Sequence, residues 1–187
     1  NKQSETSEHK TTTSEEIMSS TSVFVAGAAG YIGEGVALAF RRAGFRVYGL
    51  VRNPSKAETL SRNEVTPVIA NLEDVEAYKH ILDKCAVVVD AVGLGDFSKQ
   101  FLNAVNESGK RRNNNGEWSA YKPLFIFTSG IMTYGKAGNG PLDETIEPRP
   151  SHQWTVDRKD FEHYVLEFGK REESWIRPVV VRPGFVY

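Results

Sequence analysis

The sequence predicts an α/β protein built on a doubly wound parallel sheet of about six strands. Three observations lead there. From Val23 onward, short β-branched runs alternate with segments of helical period, the pattern of strands linked by covering helices. The run from Val87 to Val92, VVVDAV, is apolar on both faces, as a central parallel strand should be. Three glycines, Gly27, Gly30 and Gly33, stand three residues apart between the first strand and the first helix.

In chain order, residues 1 to 22 come first. They hold two apolar side chains, Ile17 and Met18, and half of them are Ser or Thr. Such a segment cannot bury enough to fold alone, so a disordered tail over 1–22 is expected, with a phosphorylated regulatory tail as the sharper alternative. Met18, just before the first strand, is the expected natural start, the residues upstream being leader sequence. Strands are expected at Val23 to Ala26, Arg46 to Val51, Pro67 to Ala70, Ala86 to Ala91, Pro123 to Thr128 and Ile176 to Arg182. Between the first two, Ile32, Val36, Ala37, Phe40 and Ala43 recur at helical spacing, and Gly44 stands where a glycine would end that helix. Further helices are expected near 54–62, 73–84, 97–108 and 154–169. Residues 106 to 122 read as a polar surface loop, in which Lys110, Arg111 and Arg112 are solvated charges rather than a nucleic-acid patch.

Composition bounds the function. A chain of 187 residues suits one domain, and 40% hydrophobic with 25% charged residues is ordinary globular usage. A formal charge of −1 supplies no bulk field for nucleic acid or an anionic membrane, so a charged ligand must be caught locally. The tail carries a net −2, which leaves the remainder at about +1. The single cysteine, Cys85, allows no intramolecular disulfide and no zinc-type cysteine cluster; it reads as small core filler, and a reducing cytoplasm fits. No apolar run approaches the roughly 18 residues of a membrane span. No metal site is expected.

The glycine turn carries the chemistry. A chain passing from strand to helix within a few residues needs backbone angles that Gly tolerates, and a pyrophosphate can approach the first helical N–H groups only where no Cβ intrudes. The third glycine lets the helix pack closely on the sheet. A tight turn with no ligand is the plain alternative; strand before, helix after and a second strand ending about 20 residues on favour a dinucleotide. That second strand ends in Arg52, Asn53, Pro54, Ser55 and Lys56, with no carboxylate to accept from a ribose 2′-hydroxyl. Arg52 can pair with a 2′-phosphate, helped by Ser55 or Lys56, so NADP(H) is expected over NAD(H).

These segments together resemble the short-chain dehydrogenase/reductase superfamily, in particular its extended and atypical, NAD-dependent epimerase/dehydratase-like branches. Gly27-Ala28-Ala29-Gly30-Tyr31-Ile32-Gly33 is similar to the superfamily's phosphate-binding turn. Asn71-Leu72 is similar to its adenine-contacting Asp-Leu pair, Ala91-Val92-Gly93 to the segment along the ribose, and Phe127-Thr128-Ser129-Gly130 with Thr133-Tyr134-Gly135 to the fifth strand and its active-site serine. Val181-Arg182-Pro183-Gly184-Phe185-Val186-Tyr187 is similar to the segment near the nicotinamide. The resemblance implies a Rossmann-type dinucleotide-binding domain over 23–187, with Gly27, Ala29, Gly30, Tyr31, Ile32, Gly33, Arg52, Lys56, Asn71, Leu72, Ala91, Val92, Gly93, Thr128, Arg158, Pro183 and Gly184 at the cofactor.

The family's catalytic Tyr, four residues before a Lys, is replaced here by Trp154 and Arg158, aligned through Glu162 and Val165-Leu166. An indole N–H does not titrate and an arginine stays protonated, so this pair cannot perform the usual proton transfer. Arg158 is expected to hold ribose and Trp154 to pack on substrate or nicotinamide; a core-facing tryptophan with a surface arginine is equally open. Ser129, Arg158 and Tyr134 are the catalytic candidates. His152 reads as a surface residue with a catalytic contact as the alternative, and Asp143 and Glu144 as an acidic loop. The resemblance further implies that the family's substrate region, after the sixth strand, is missing, leaving an open cleft and weak or no turnover in this chain. The expected function is the NADP(H)-binding part of an oxidoreductase or epimerase-like enzyme acting on a carbonyl or hydroxyl of a small molecule. A non-catalytic NADP(H)-binding sensor is the rival reading, and a homodimer is left open.

Overall fold

A computed structural model describes residues 21–114, 121–136 and 140–184. The expected tail therefore lies outside the described residues except for Thr21 and Ser22, and so do residues 185–187. Six strands, β1 (Ser22–Ala26), β2 (Arg46–Val51), β3 (Thr66–Ile69), β4 (Cys85–Asp90), β5 (Leu124–Thr128) and β6 (Arg177–Val181), form one sheet in the order β3-β2-β1-β4-β5-β6. Every pairing is parallel. The order reverses between β1 and β4, which opens a crevice at the carboxyl ends of those two strands.

Helices α1 (Tyr31–Arg42), α2 (Ala57–Arg62, entered through the 3-10 turn Pro54–Lys56), α3 (Val75–Leu82), α4 (Ser98–Asn114) and α5 (Gln153–Lys170) cover the sheet. The alternation of β1 sorts its side chains into two cores. Phe24 joins Tyr78, Phe101, Phe125, Phe127 and Phe161 on one face, whereas Val23 and Val25 join Ala37, Val47 and Val89 on the other. Phe24 stacks on Tyr78 at 5.4 Å between ring centroids, and Phe127 meets Phe161 edge-on at 4.9 Å. Each buried aromatic contributes about 1.5–3 kcal/mol, so this face fixes the packing of α3, α4 and α5 on the strands. Gly44 ends α1 as expected, with φ +90. Helix α5 starts at Gln153 with Thr155 Oγ1 accepting from the His152 N–H at 3.3 Å.

One expectation is overturned. Residues 106 to 114 are not loop but the last turns of α4, and Asn106, Ser108, Gly109 and Arg112 are buried there. Asn106 Oδ1 accepts the Trp175 N–H at 2.7 Å, Arg112 donates to the Cys85 carbonyl, and Arg111 makes a two-pronged contact with Asp83, its shortest bond 2.7 Å. Lys110 pairs with Glu107 at 2.7 Å. A polar sequence becomes helix here because its arginines find a carboxylate and a carbonyl at the start of β4 and Asn106 accepts a backbone N–H just before β6, a tertiary gain that outweighs weak propensity. Residues 115–120 of that stretch lie outside the described residues. Cys85, expected as core filler, is fully buried, and burial pushes its thiol pKa up to about 12.

Candidate functional site

The site starts at the turn after β1. Gly27 adopts φ +77, and a Cβ there would stand 3.0 Å from the Ala91 carbonyl. A Cβ on Gly33 would come within 2.1 Å of the Gly27 carbonyl oxygen, so α1 reaches the strand end only as glycine. Gly30 is the N-cap of α1 and brings no side-chain oxygen of its own. The first-turn N–H groups of α1 are thus turned toward the crevice with a bare backbone in front of them, the arrangement that accepts an anion.

Around this turn runs a cleft of about 560 Å³. Four strand ends build its wall. Gly27, Ala29 and Gly30 come from β1, Arg52 and Lys56 from β2, Asn71 and Leu72 from β3, and Ala91, Val92 and Gly93 from β4. Ten of the sequence-predicted cofactor positions therefore meet in one cavity. Tyr31, 66% exposed, opens α1 outside the cleft lining, Ile32 is half-buried, and buried Gly33 lies against the Gly27 carbonyl. Asn53 faces the cleft too, with its side-chain oxygen accepting the Ser55 N–H at 2.9 Å to start the 3-10 turn that carries Lys56. Ser55 is exposed outside the lining. The Leu72 carbonyl is held by the Tyr78 hydroxyl at 2.5 Å, and burial keeps that phenol well above its ordinary range.

Beyond Gly93, the loop after β4 carries no motif that marks it in the sequence. Leu94 to Ser98 nevertheless line the cleft, with the Gly95 N–H donating to Ser98 Oγ at 2.9 Å. Beneath the loop sits Asp90, fully buried at the end of β4. Its Oδ1 accepts the Val92 N–H at 3.0 Å, and its Oδ2 has no hydrogen-bond partner among the described residues. Burial raises this carboxyl to about 6; the Val92 N–H, the Arg158 guanidinium and the Gly93 N–H oppose the rise. Its signal in the sequence is the one charge in an apolar run, and the run's hydrophobicity hides it.

The remaining candidates sit over β5 and β6. Arg158, on α5, directs Nη1 at the Thr128 carbonyl, 3.5 Å away, and its Nη2 would lie 3.5 Å from a Cβ on Gly93. Thr128 itself is buried at the end of β5. Trp154, one turn earlier on α5, is 52% exposed, so the core-facing alternative is excluded. The Ser129 hydroxyl donates to Glu162 of α5, a side chain 2% exposed. Arg182 grips the other Glu162 oxygen through Nε at 2.9 Å and Nη2 at 2.6 Å, and donates to the Tyr134 hydroxyl at 2.9 Å. Tyr134 in turn donates to the Asp143 carbonyl at 2.8 Å. Both candidate hydroxyls are therefore committed inside a buried network that ties β5, α5 and β6 together. The Glu162 contact holds the Arg182 guanidinium pKa above its ordinary value. Pro183 lies beyond β6, its carbonyl accepting the Ile131 N–H at 3.1 Å, and Gly184 is exposed beside it. Asp143 Oδ1 accepts from the Thr145 hydroxyl and N–H, which lowers its pKa, and Glu144 is exposed in the same loop. His152 is exposed at the start of α5.

Comparison with known proteins agrees with this geometry. Residues 27–114, from the glycine turn to the end of α4, match the model of a family described as NAD(P)H-binding. An uncharacterized protein of Schizosaccharomyces pombe is 38% identical over 76 residues, which are 41% of this chain and 26% of that protein. UDP-glucose 4-epimerase from Stenotrophomonas maltophila, solved with bound NAD and formylated UDP-arabinopyranose, superposes with a TM-score of 0.64 at 16% identity, over 87% of this chain and 52% of that one. UDP-glucose 4-epimerase from Thermus thermophilus, in complex with NAD, gives a TM-score of 0.61 at 21% identity over 87% and 54%. The chain spans about a quarter of the curated relative and about half of these solved structures. The fold implied by the resemblance is borne out: these solved epimerases share it, and just under half of the chain matches the NAD(P)H-binding family. Among the described residues, no helix is long and apolar enough to cross a membrane.

Proposed function

We propose that residues 23–187 are the dinucleotide-binding domain of an NADP(H)-dependent oxidoreductase or epimerase-like enzyme acting on a carbonyl or hydroxyl of a small molecule. The observation that carries this reading is the meeting, in one cleft, of a glycine turn with no room for a Cβ and the cationic pair Arg52 and Lys56. The first turn of α1 holds the pyrophosphate, Arg52 and Lys56 take the 2′-phosphate, and Asn71 offers an amide to the adenine. Arg158, on the half of the sheet beyond the switch point, donates to the second ribose. The dinucleotide supplies hydride transfer; the residues of this chain bind it, orient it and exclude water from its inner face. Ser129 orients the substrate through the rigid turn it anchors. The single buried thiol, Cys85, fits a cytoplasmic protein.

A second reading, a non-catalytic NADP(H)-binding sensor, is favoured by Trp154 and Arg158 where proton transfer would need a titrating pair, and by hydroxyls of Ser129 and Tyr134 already bound within the protein. Thermal denaturation in the presence of NADPH, NADP and NAD tests binding. A ligand at a hundred times its dissociation constant should add about 2.7 kcal/mol, and equal or better stabilisation by NAD defeats the 2′-phosphate assignment. Oxidation of NADPH by the full-length protein over a panel of carbonyl compounds separates the two readings, since tight binding without turnover identifies the sensor.

A further inference from the structure

We propose that Asp90 is a positioning residue for the second half of the dinucleotide, acting through Arg158: its buried carboxylate is the counter-ion that keeps the Arg158 guanidinium over Gly93 at the cleft wall. The inference rests on the proposed dinucleotide reading and adds to it a residue outside the cleft lining. Three observations converge. Asp90 is fully buried, and one of its oxygens has no hydrogen-bond partner among the described residues. A buried carboxylate with a free oxygen is costly and needs a compensating charge nearby. A guanidinium stands close by: Arg158 Nη2 would lie 3.5 Å from a Cβ on Gly93, the residue after the Val92 whose N–H Asp90 holds, and its own contact in this region is a long 3.5 Å approach to the Thr128 carbonyl. Gly93, at φ +90, is the residue over which that guanidinium lies, and Gly93 lines the cleft.

The sheet order gives this pairing its place. Adenosine occupies the half built on β1, β2 and β3 when Arg52 and Lys56 take the 2′-phosphate, so the second nucleotide must lie over the half that starts at β4. Arg158 faces that half. A long arginine drawn inward by a fixed charge loses less side-chain freedom when it donates to a ribose than one free in solvent. The charged or titratable groups facing Asp90 are Arg158 from α5 and Tyr78 from α3, and the phenol stays neutral over the whole working range. The charge state of Asp90 therefore sets the pull. Protonation below pH of about 6 releases Arg158 and weakens binding.

The test is NADPH affinity of the intact protein, measured by calorimetry or fluorescence between pH 5 and 8, for the parent, Asp90→Asn, Arg158→Gln and the double variant. The parent should lose more affinity for NADPH, as pH falls through about 6, than for 2′-phosphoadenosine 5′-phosphate, whose own 2′-phosphate titrates in the same range. Asp90→Asn should bind about tenfold more weakly at pH 8, should keep only the pH dependence that 2′-phosphoadenosine 5′-phosphate shows, and should add nothing in the Arg158→Gln background. Affinity for 2′-phosphoadenosine 5′-phosphate, which lacks the nicotinamide half, should not change in any variant. An Asp90→Asn protein that keeps parental affinity and pH profile overturns the inference while leaving dinucleotide binding intact. So does an equal loss for the fragment, which marks a collapsed cleft wall, or additive losses in the double variant. Absence of NADPH binding by the parent overturns both readings. Arg158→Gln decides independently, because its pH profile must match that of the fragment.

Discussion

Asp90 and Glu162 are both buried carboxylates, yet their neighbourhoods differ. Glu162 has a hydroxyl donor on one oxygen and a two-pronged arginine on the other. Removing it by Glu162→Ala strands Arg182 and Ser129, and should cost about 3–5 kcal/mol in urea denaturation. Asp90 lacks such company. Its folded carboxyl holds a proton to about 6 against 3.8 for the free group, so the native state binds more protons than the unfolded chain in that interval, and stability falls as pH rises through it. At about 1.4 kcal/mol per pKa unit, the ionised group costs about 3 kcal/mol above pH 7. Asp90→Asn should therefore raise the melting temperature of the ligand-free protein at pH 8, with the gain fading toward pH 4. A gain that is equal at both pH values would show that the charge is not what costs stability.

At the level of elements, α4 is the informative one. A Cβ on Gly109 would come within 2.2 Å of the Trp175 carbonyl oxygen, backbone that cannot step aside. Gly109→Ala should cost about 1–3 kcal/mol in urea denaturation while leaving NADPH affinity unchanged, because the clash lies at the end of the sheet away from the cleft. The same helix marks the limit of what the sequence discloses. Periodicity located all six strands to within a residue or so, because a parallel sheet buried on both faces writes its pattern in Val, Ile and Phe. It lost the last turns of α4, since Asn106, Arg111 and Arg112 are stabilised by Trp175, Asp83 and Cys85, partners 69, 28 and 27 residues distant. The glycine turn and Arg52 were legible because their spacing is local. The commitment of Ser129 and Tyr134 to Glu162 and Arg182 was not, for the opposite reason.

For the whole molecule, cofactor choice is the property that integrates the most parts. The cleft carries cations from β2, and acids, Glu73 and Asp96, from the loops after β3 and β4. Replacing Arg52 by Glu puts a carboxylate where a 2′-phosphate would sit and a ribose hydroxyl could donate. Preference measured by thermal stabilisation should then move from NADP toward NAD; an unchanged ranking would remove Arg52 from the selection.

The bonds that seat α4 are gathered at one pole. Asn106 on Trp175, Arg112 on Cys85 and Gly109 beneath Trp175 all lie where β4 and β6 begin, while the glycine turn and the Gly93 to Ser98 loop lie where strands end. Amide exchange with deuterated solvent should therefore be graded along the strand axis. Protons at Val87, Val88 and Ile176 should persist through global unfolding events alone, and those of the loop after β4 should be lost by local opening, until a bound dinucleotide slows them.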